Sequence, residues 1–409
     1  MATLTPPVQA NLSRADLIEE YDRDRLGFVM RAVRRYGPVV ELSPGTVLVA
    51  DGEVAHDVLR RTNRDFLMDR DRAWRPTDSR RGEDALESWM SARRAMLSAL
   101  SGDLVAEHLR WYSASLTTLL DTWAGQGRTA DPLRPLMRLS TDAFLRLCTG
   151  PSVSPDERAG LATAVAGLLD ALNPIVRSSY ELPWFLDRLT GRRRRAARAQ
   201  HRLETGLAAL VDRPPPAGLV AALRDAGVPR EPLVRILVSA AIAARLVPAA
   251  ANVWTLRAMA VHQPTDEPAH VVDEVLRMWP PTWLIHRATH AETASGPWRF
   301  PAHAALMICP YAIHRDERHW ADPTEFRPAR WRDGRPPAGA YLPFGGGPRW
   351  CVGTHLAKAQ LVEAVRVFRH YRLVDDSGPV TTDTNSTLHP RGLALRVGRA
   401  AAPERNTTR

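Results

Sequence analysis

One cysteine in this chain stands where the backbone could prepare it for chemistry. Cys351 follows three glycines and a proline at 345–348, which cannot continue a helix or a strand and must turn tightly. Residues 354–369 then repeat apolar side chains at helical spacing, which predicts Cys351 at a helix N-terminus. Backbone N–H groups and the helix dipole are expected to lower the pKa of its thiol there. Such a thiolate suits an axial ligand of iron, and a structural cysteine beside a flexible loop is the alternative.

The loop around this cysteine carries a recognisable pattern. Phe344, Gly347, Arg349, Cys351 and Gly353 match every fixed position of FxxGxRxCxG, the haem-binding loop of the cytochromes P450. The chain therefore resembles a cytochrome P450 of the soluble bacterial type. The resemblance implies a mainly helical fold with a small β region, and a haem b whose iron is bound by Cys351.

Length and composition fit one large domain. No linker, repeat or low-complexity block divides the 409 residues, so we expect a leader at 1–20, a single domain at 21–400 and a disordered tail at 401–409. No run of about 18 uncharged apolar residues and no signal-peptide core occur, which predicts a soluble, cytoplasmic protein without a membrane anchor. Three cysteines, an odd number, argue against a disulfide framework.

The net charge of +10 comes almost entirely from arginine, since Lys358 is the only lysine. No zinc spacing, recognition-helix pattern or RNA-binding aromatic motif accompanies this charge, so nucleic-acid binding is not expected. A run of arginines at 192–195 is interpreted as a solvated helix face. The resemblance implies electrons from NAD(P)H through a reductase and a ferredoxin, and an acidic ferredoxin would be attracted by a basic surface.

Two side chains near the start of the chain are candidates for cofactor binding. Trp89 and Arg93 are four residues apart, which places them on one face of a helix. By resemblance, this pair, together with Arg287 and Arg349, binds the haem propionates, which suits an indole N–H and guanidinium forks. The arginine-rich segment 68–85 corresponds to a loop over the substrate pocket, and a solvated surface loop is the alternative.

A long helix predicted at 231–262 departs from the family pattern. By position it crosses the distal face of the haem, where most members have two small residues, then any residue, an acid and a threonine that manage proton delivery. Aligning Trp254 with a tryptophan common in this helix places Ala243, Ala244 and Arg245 first. Leu246 then stands for the acid and Val247 for the threonine, and neither can donate or relay a proton.

Two other residues of this stretch have alternative interpretations. Pro248 lacks a backbone N–H and should kink the helix, and an opened carbonyl with a water could replace part of the missing chemistry. Arg245 either points to solvent or a carboxylate, or places a cation near the reacting oxygen or an acidic substrate. We keep Arg245, Leu246, Val247 and Pro248 as candidate catalytic positions.

A second motif supports the resemblance. Glu274 and Arg277 form an ExxR on a helix that ends before a proline pair, and the spacing places both side chains on one face. In the family this pair joins a downstream arginine in a structural triad, for which Arg330 fits the spacing better than Arg327. From Pro264, just after the predicted central helix, only ten residues lead to Glu274, so a helix usually found in this interval should be largely absent.

The favoured function is oxidative tailoring of a small, largely apolar natural product. By resemblance, Ala243, Ala244, Trp283 and Leu284 would line its pocket. Three hypotheses remain open. The first is a monooxygenase in which a substrate hydroxyl or a water replaces the threonine. The second is atypical chemistry: oxidative coupling, rearrangement, dehydration or a peroxide-driven reaction. The third is a non-catalytic protein that binds haem or a ligand.

Overall fold

The computed structural model describes residues 5–68, 83–100, 102–176 and 190–400. Most of the segment 68–85 and the tail 401–409 lie outside the described residues. The described helices are α1 (Arg14–Arg23), α2 (Arg25–Tyr36), α3 (Gly52–Arg60), α4 (Glu83–Ala99), α5 (Gly102–Gln126), α6 (Leu133–Thr149), α7 (Pro155–Val176), α8 (Arg192–Asp212), α9 (Leu219–Asp225), α10 (Arg230–His262), α11 (Pro268–Met278), α12 (Pro310–Ile313) and α13 (Thr354–Phe368). The predicted mainly helical fold is confirmed.

The β region is small and lies beside the helices. Its strands are β1 (Val8–Gln9), β2 (Val39–Ser43), β3 (Thr46–Val49), β4 (Phe66–Leu67), β5 (Arg128–Thr129), β6 (Ile285–Thr289), β7 (Thr293–Ser295), β8 (Trp298–Phe300), β9 (Ala305–Ile308), β10 (Tyr371–Asp375), β11 (Thr381–Asp383), β12 (His389–Arg391) and β13 (Leu395–Arg399). Six of them form one sheet in the order β1-β2-β3-β9-β6-β4. Its β2–β3 hairpin turns at Gly45, where φ is +73°. A turn signal between two β-like runs is typical of such a hairpin.

The central helix α10 organises the core. It packs against α6, α8 and α13, so it lies between the helix that follows the cysteine loop and the outer helices. Trp254, which is 2% exposed, stacks on Trp279 with ring centroids 4.9 Å apart. Its indole N–H donates to the Leu388 carbonyl at 3.0 Å, which satisfies the buried polar atom.

The end of α10 is joined to α11 by a short connection. Only residues 263–267 separate the two helices, as the spacing of the sequence predicted. Gln263 accommodates the sharp exit with a φ of +45°, in the left-handed region. This short connection allows α11, which carries the ExxR motif, to pack against α13, the helix that follows the cysteine loop.

Part of the expected leader packs on the domain. Strand β1 pairs in parallel with β2, and Leu17 of α1 is buried in a cluster with Phe28 and Trp283. The Ser13 side chain accepts from the Asp16 N–H and caps α1, which favours a helix here. Residues 8–23 thus contribute apolar surface to the core.

One described helix, α10, is long and apolar enough to cross a membrane by length and composition alone. Of its most apolar stretch, 44% is buried inside the protein. Its packing against three other helices accounts for this apolar composition.

Candidate functional site

The cysteine loop is held against helix α3. Gly347 adopts a φ of +65°, and a Cβ at this position would lie 2.0 Å from the Leu59 carbonyl oxygen. Only glycine fits there, because both the backbone conformation and the close approach exclude a side chain. The Cys351 N–H donates to the Phe344 carbonyl at 3.2 Å, which closes the loop before α13 begins at Thr354.

The Cys351 residue is exposed, although protein atoms surround much of its sulfur. Burial raises the pKa of its thiol, while the Gly353 N–H, the Thr354 hydroxyl and the charge of Arg93 act in the opposite direction. The prediction of a lowered pKa from the helix N-terminus alone was therefore wrong, because desolvation outweighs the local donors. A bound metal ion would deprotonate a coordinating thiol regardless.

Three of the predicted cofactor-binding side chains form a compact cluster. The guanidinium carbon of Arg349 lies 4.2 Å from the centre of a Trp89 ring, and that of Arg93 lies 4.7 Å from it. Arg93 also donates to the Trp350 carbonyl at 2.6 Å, which fixes it beside the cysteine loop. Cation–π contact with the indole and this hydrogen bond hold the two cations together.

The same cluster has unused binding capacity. Burial, and then repulsion from Arg93, lower the pKa of Arg349 to about 10, and burial lowers the pKa of Arg93. Within the described part of the chain neither guanidinium forms an ion pair with a carboxylate. The Nε1 atom of Trp89, in a side chain that is 7% exposed, has no hydrogen-bond partner among the described residues. Two cations and an orphaned N–H donor are the groups that carboxylates of a bound molecule would satisfy.

Two neighbouring residues that follow α3 accept hydrogen bonds from Arg349 and Arg287. Arg349 donates to the Asn63 side-chain oxygen at 2.9 Å, and Arg287 donates to the Thr62 hydroxyl at 2.9 Å. Arg287 and Arg349 are therefore brought to the same place by adjacent residues. Sequence reasoning missed Thr62 and Asn63. Their only local signal is an asparagine after a helix, and Asn63 indeed has a φ of +76°.

The candidate distal residues lie within one unbroken helix. Pro248 is inside α10, and Leu246 and Val247 are partly buried. Arg245 donates to the Thr141 hydroxyl of α6 at 3.0 Å. Burial lowers the pKa of Arg245, and the charge of Asp170 opposes this effect. The Arg245 guanidinium therefore contacts α6 through a hydroxyl group.

The residues of the ExxR motif form a buried network. Glu274 and Arg277 are both fully buried, and Arg277 donates to both carboxylate oxygens of Glu274 at 2.8 and 2.9 Å. The Arg330 Nε donates to Glu274 at 3.1 Å, and Arg327 contributes its backbone N–H at 2.8 Å. Trp331, which sequence reasoning missed, donates its indole N–H to the same carboxylate at 2.9 Å.

The four residues assigned to a substrate pocket fall into two groups. Trp283 donates to the Thr384 carbonyl at 3.1 Å and packs, with Leu284, in the cluster that contains α1 and α2. Ala243 is exposed, and Ala244 packs partly buried against a different cluster, formed by α4, α6, α7 and α8. These two pairs therefore contact different parts of the core.

The comparisons with known proteins agree with the fold and the loop. Residues 269–397 match the family model described as cytochrome P450, a range that contains Glu274, Arg277, Arg330 and Cys351. The predicted resemblance to the cytochromes P450 is confirmed. The cytochrome P450 fold implies a haem cofactor. The exposed Cys351 fits that group, because it lies beside two guanidinium groups that form no ion pair with a described carboxylate and beside an indole N–H that has no described partner.

Solved structures extend the likeness over nearly the whole chain. A six-coordinated cytochrome P450 from Thermus thermophilus is 21% identical, with a TM-score of 0.73, and the match covers 96% of this chain and 100% of that one. The haem domain of cytochrome P450DA is 17% identical, with a TM-score of 0.76, and the match covers 98% of both chains. At these identities the likeness concerns the fold.

Sequence relatives align over shorter ranges. Cytochrome P450 3A14 of Cavia porcellus is 33% identical over 136 residues, which is 31% of this chain and 27% of that protein. Cyclooctatin synthase of Streptomyces melanosporofaciens is 43% identical over 86 residues, 20% of this chain and 19% of that enzyme. The aligned part of the chain thus spans about a quarter of the length of the curated relatives it matches.

Proposed function

We propose that this cytochrome P450 is a haem-thiolate oxidoreductase that tailors a small natural product by oxidation. The observation that carries the proposal is the cluster around Cys351. In the part of the chain that the structure describes, the partly buried Arg93 and Arg349 have no carboxylate partner, and the buried Trp89 N–H has no acceptor. A haem b, with one iron site and two carboxylates, matches both the cysteine and these donors.

Each side chain has a defined task in this proposal. The Cys351 sulfur would bind the iron, and Trp89, Arg93, Arg287 and Arg349 would bind and orient the propionates. Gly347 allows the loop to pack closely against α3, which fixes the position of the sulfur relative to that helix. When bound, the haem supplies a redox centre for the activation of oxygen or peroxide.

The residues of the distal helix are compatible with two kinds of reaction. Leu246 and Val247 stand where a proton relay would be expected, and neither side chain can hold or move a proton. As a monooxygenase, the protein would depend on a water or a substrate hydroxyl for this task. The second candidate is oxidative coupling, rearrangement, dehydration or peroxide-driven chemistry, which the same apolar pair favours. A non-catalytic haem or ligand-binding role is the third.

The natural-product substrate class rests on one relative and on the composition of the distal wall. Cyclooctatin synthase is a named relative that shares 43% identity over part of the chain. Ala243, Ala244, Leu246 and Val247 are small or apolar, which suits a largely apolar small molecule. Trp283 and Leu284 are retained as proposed pocket residues.

The electron supply and the location follow from charge and family. We place the protein in the cytoplasm, with electrons from NAD(P)H passed through a reductase and an acidic ferredoxin. The net charge of +10 supports an acidic partner, because opposite charge accelerates encounter at low salt. Neither a nucleic-acid partner nor a membrane anchor is part of the proposal.

Product analysis under three conditions tests the function. Haem-loaded protein is incubated with candidate small molecules and either redox partners with oxygen, peroxide alone, or neither. Products that require redox partners and oxygen support the monooxygenase, and turnover with peroxide alone supports the second candidate. Ligand-induced shifts of the haem spectrum without any product would overturn the enzymatic proposal and leave the binding role.

A further inference from the structure

The central helix contains one turn in which a backbone hydrogen bond cannot form. Pro248 lies within α10, and proline has no N–H to donate to the carbonyl of Ala244, four residues earlier. A helical carbonyl lies beside the side chains three and four positions later, here Val247 and Pro248. The Ala244 oxygen is therefore the acceptor that opens next to Val247, where the family pattern has its alcohol.

The turn after Pro248 has one more hydrogen bond than a turn of an ordinary helix. The Asn252 side-chain amide donates to the Pro248 carbonyl at 2.9 Å, in addition to the backbone bond expected at this spacing. The Tyr112 hydroxyl of α5 donates to the Asn252 side-chain oxygen at 3.2 Å and orients that amide. Asn252 is 1% exposed and Tyr112 2%, so both bonds are shielded from water.

The tyrosine is itself held from the side of the cysteine helix. His108, one turn earlier on α5, stacks on Tyr112 with ring centroids 6.4 Å apart and an interplanar angle of 18°. The Gln360 side chain of α13 lies 2.7 Å from the Nε2 of His108. One hydrogen bond, one ring contact and two further hydrogen bonds thus connect the helix that follows Cys351 to the carbonyl of Pro248.

We propose that Tyr112 and Asn252 are positioning residues that keep α10 closed after Pro248, so that the Ala244 carbonyl is the acceptor presented beside Val247. Its hydrogen-bond donor is a water molecule, because Leu246 and Val247 supply no hydrogen and water is the smallest donor from outside the helix. In this arrangement a backbone carbonyl, and not a side chain, holds the water. This role rests on the proposed function.

Hydrogen exchange of the haem-loaded full chain tests the clamp. Tyr112→Phe removes one hydroxyl and should accelerate amide exchange at 249–253 about fivefold, the effect of one hydrogen bond. Thr255→Val is the matched control. It removes a buried hydroxyl that donates to the Ala251 carbonyl on the same helix, and it should leave these amides unchanged. Wild-type exchange rates in Tyr112→Phe, or equal acceleration by Thr255→Val, would overturn the clamp.

A second variant tests the carbonyl. Pro248→Ala supplies an N–H opposite the Ala244 oxygen, so the new amide at position 248 should exchange about tenfold more slowly than an unprotected amide. In a system with turnover, the peroxide released per NAD(P)H should rise several-fold, since the water loses its acceptor. An unprotected amide at position 248 would overturn the proposal. The exchange data do not depend on turnover, so they stand or fall separately from the enzymatic function.

Discussion

The guanidinium of Arg349 lies over the Trp89 ring at 4.2 Å, with 259 residues of sequence between the two. This contact joins the cysteine loop to α4, and the buried indole N–H of Trp89 has no acceptor among the described residues. With Arg93 at 4.7 Å from the same indole, the three side chains form a donor cluster that a dicarboxylate cofactor completes.

Haem affinity should depend on this cluster. Arg349→Ala removes a partly buried cation and is expected to weaken haem binding about thirtyfold, the effect of one hydrogen bond to a charged group. Trp89→Phe removes only the indole N–H among the polar groups and should weaken binding about fivefold. The rate of haem transfer to apomyoglobin measures both. Arg194→Ala, on the exposed face of α8, is the control, and an equal effect there would contradict the assignment.

The buried triad should dominate stability. Burial alone would raise the pKa of Glu274, but Arg277, the Arg327 N–H and Arg330 lower it, so the carboxylate remains ionised at neutral pH. Glu274→Gln leaves Arg277 buried and uncompensated and should lower the free energy of unfolding by about 4 kcal/mol. Urea unfolding measures this. Glu363→Gln, which removes a partly exposed ion pair with Arg366, should cost less than about 1 kcal/mol. Similar costs for both variants would refute the central role of the triad.

Acid stability should reflect His314. Burial lowers the pKa of His314 to about 3, and its ring connects α11 to the segment just before the cysteine loop: Nδ1 donates to the Arg277 carbonyl and Nε2 accepts from the Leu342 N–H. The unfolded chain binds a proton near pH 6.5 and the folded chain does not, so this contribution falls as the pH drops from 6.5 towards 3. The slope for this one group approaches about 1.4 kcal/mol per pH unit.

Denaturation at a series of pH values checks that slope. His314→Gln should flatten the pH dependence of the free energy of unfolding between pH 6 and 4. In this range the histidine is protonated in the unfolded chain, below its ordinary pKa of about 6.5, but not in the folded protein. His201→Gln, at an exposed position of α8, should leave the dependence unchanged. A His314→Gln curve parallel to that of the wild type would show that His314 titrates as freely as in the unfolded chain.

The distal substitutions make a prediction about coupling. The double variant Leu246→Glu, Val247→Thr restores an acid and an alcohol and should raise the fraction of NAD(P)H that appears in product about tenfold, if proton delivery limits the wild type. The ratio of product to NAD(P)H and to released peroxide is the measurement. Tight coupling in the wild type, unchanged by the double variant, would show that the missing relay is no handicap.

The sequence predicted those features that a motif within one short stretch of the chain encodes. The loop at 344–353, the ExxR helix and the short link after His262 each lie within one stretch of sequence. The pKa of Cys351 was misjudged because desolvation depends on all surrounding atoms, whereas the sequence showed only the helix N-terminus.

Long-range partners were not foreseeable from the pattern. Thr62 and Asn63 bind Arg287 and Arg349 across more than 200 residues, and nothing in a threonine-asparagine pair indicates such partners. The same holds for Tyr112 and Asn252, which meet only because α5 and α10 pack together. Burial by tertiary packing, which no local spacing records, decides these contacts.

The ferrous–CO spectrum of the purified, haem-supplemented protein tests the central claim most directly. We expect the Soret band of thiolate-ligated haem in the wild type, its loss in Cys351→Ala, and its retention in Cys309→Ala, which removes a fully buried thiol elsewhere. A colourless wild-type protein, or an unchanged band in Cys351→Ala, would contradict the assignment of Cys351 as the iron ligand.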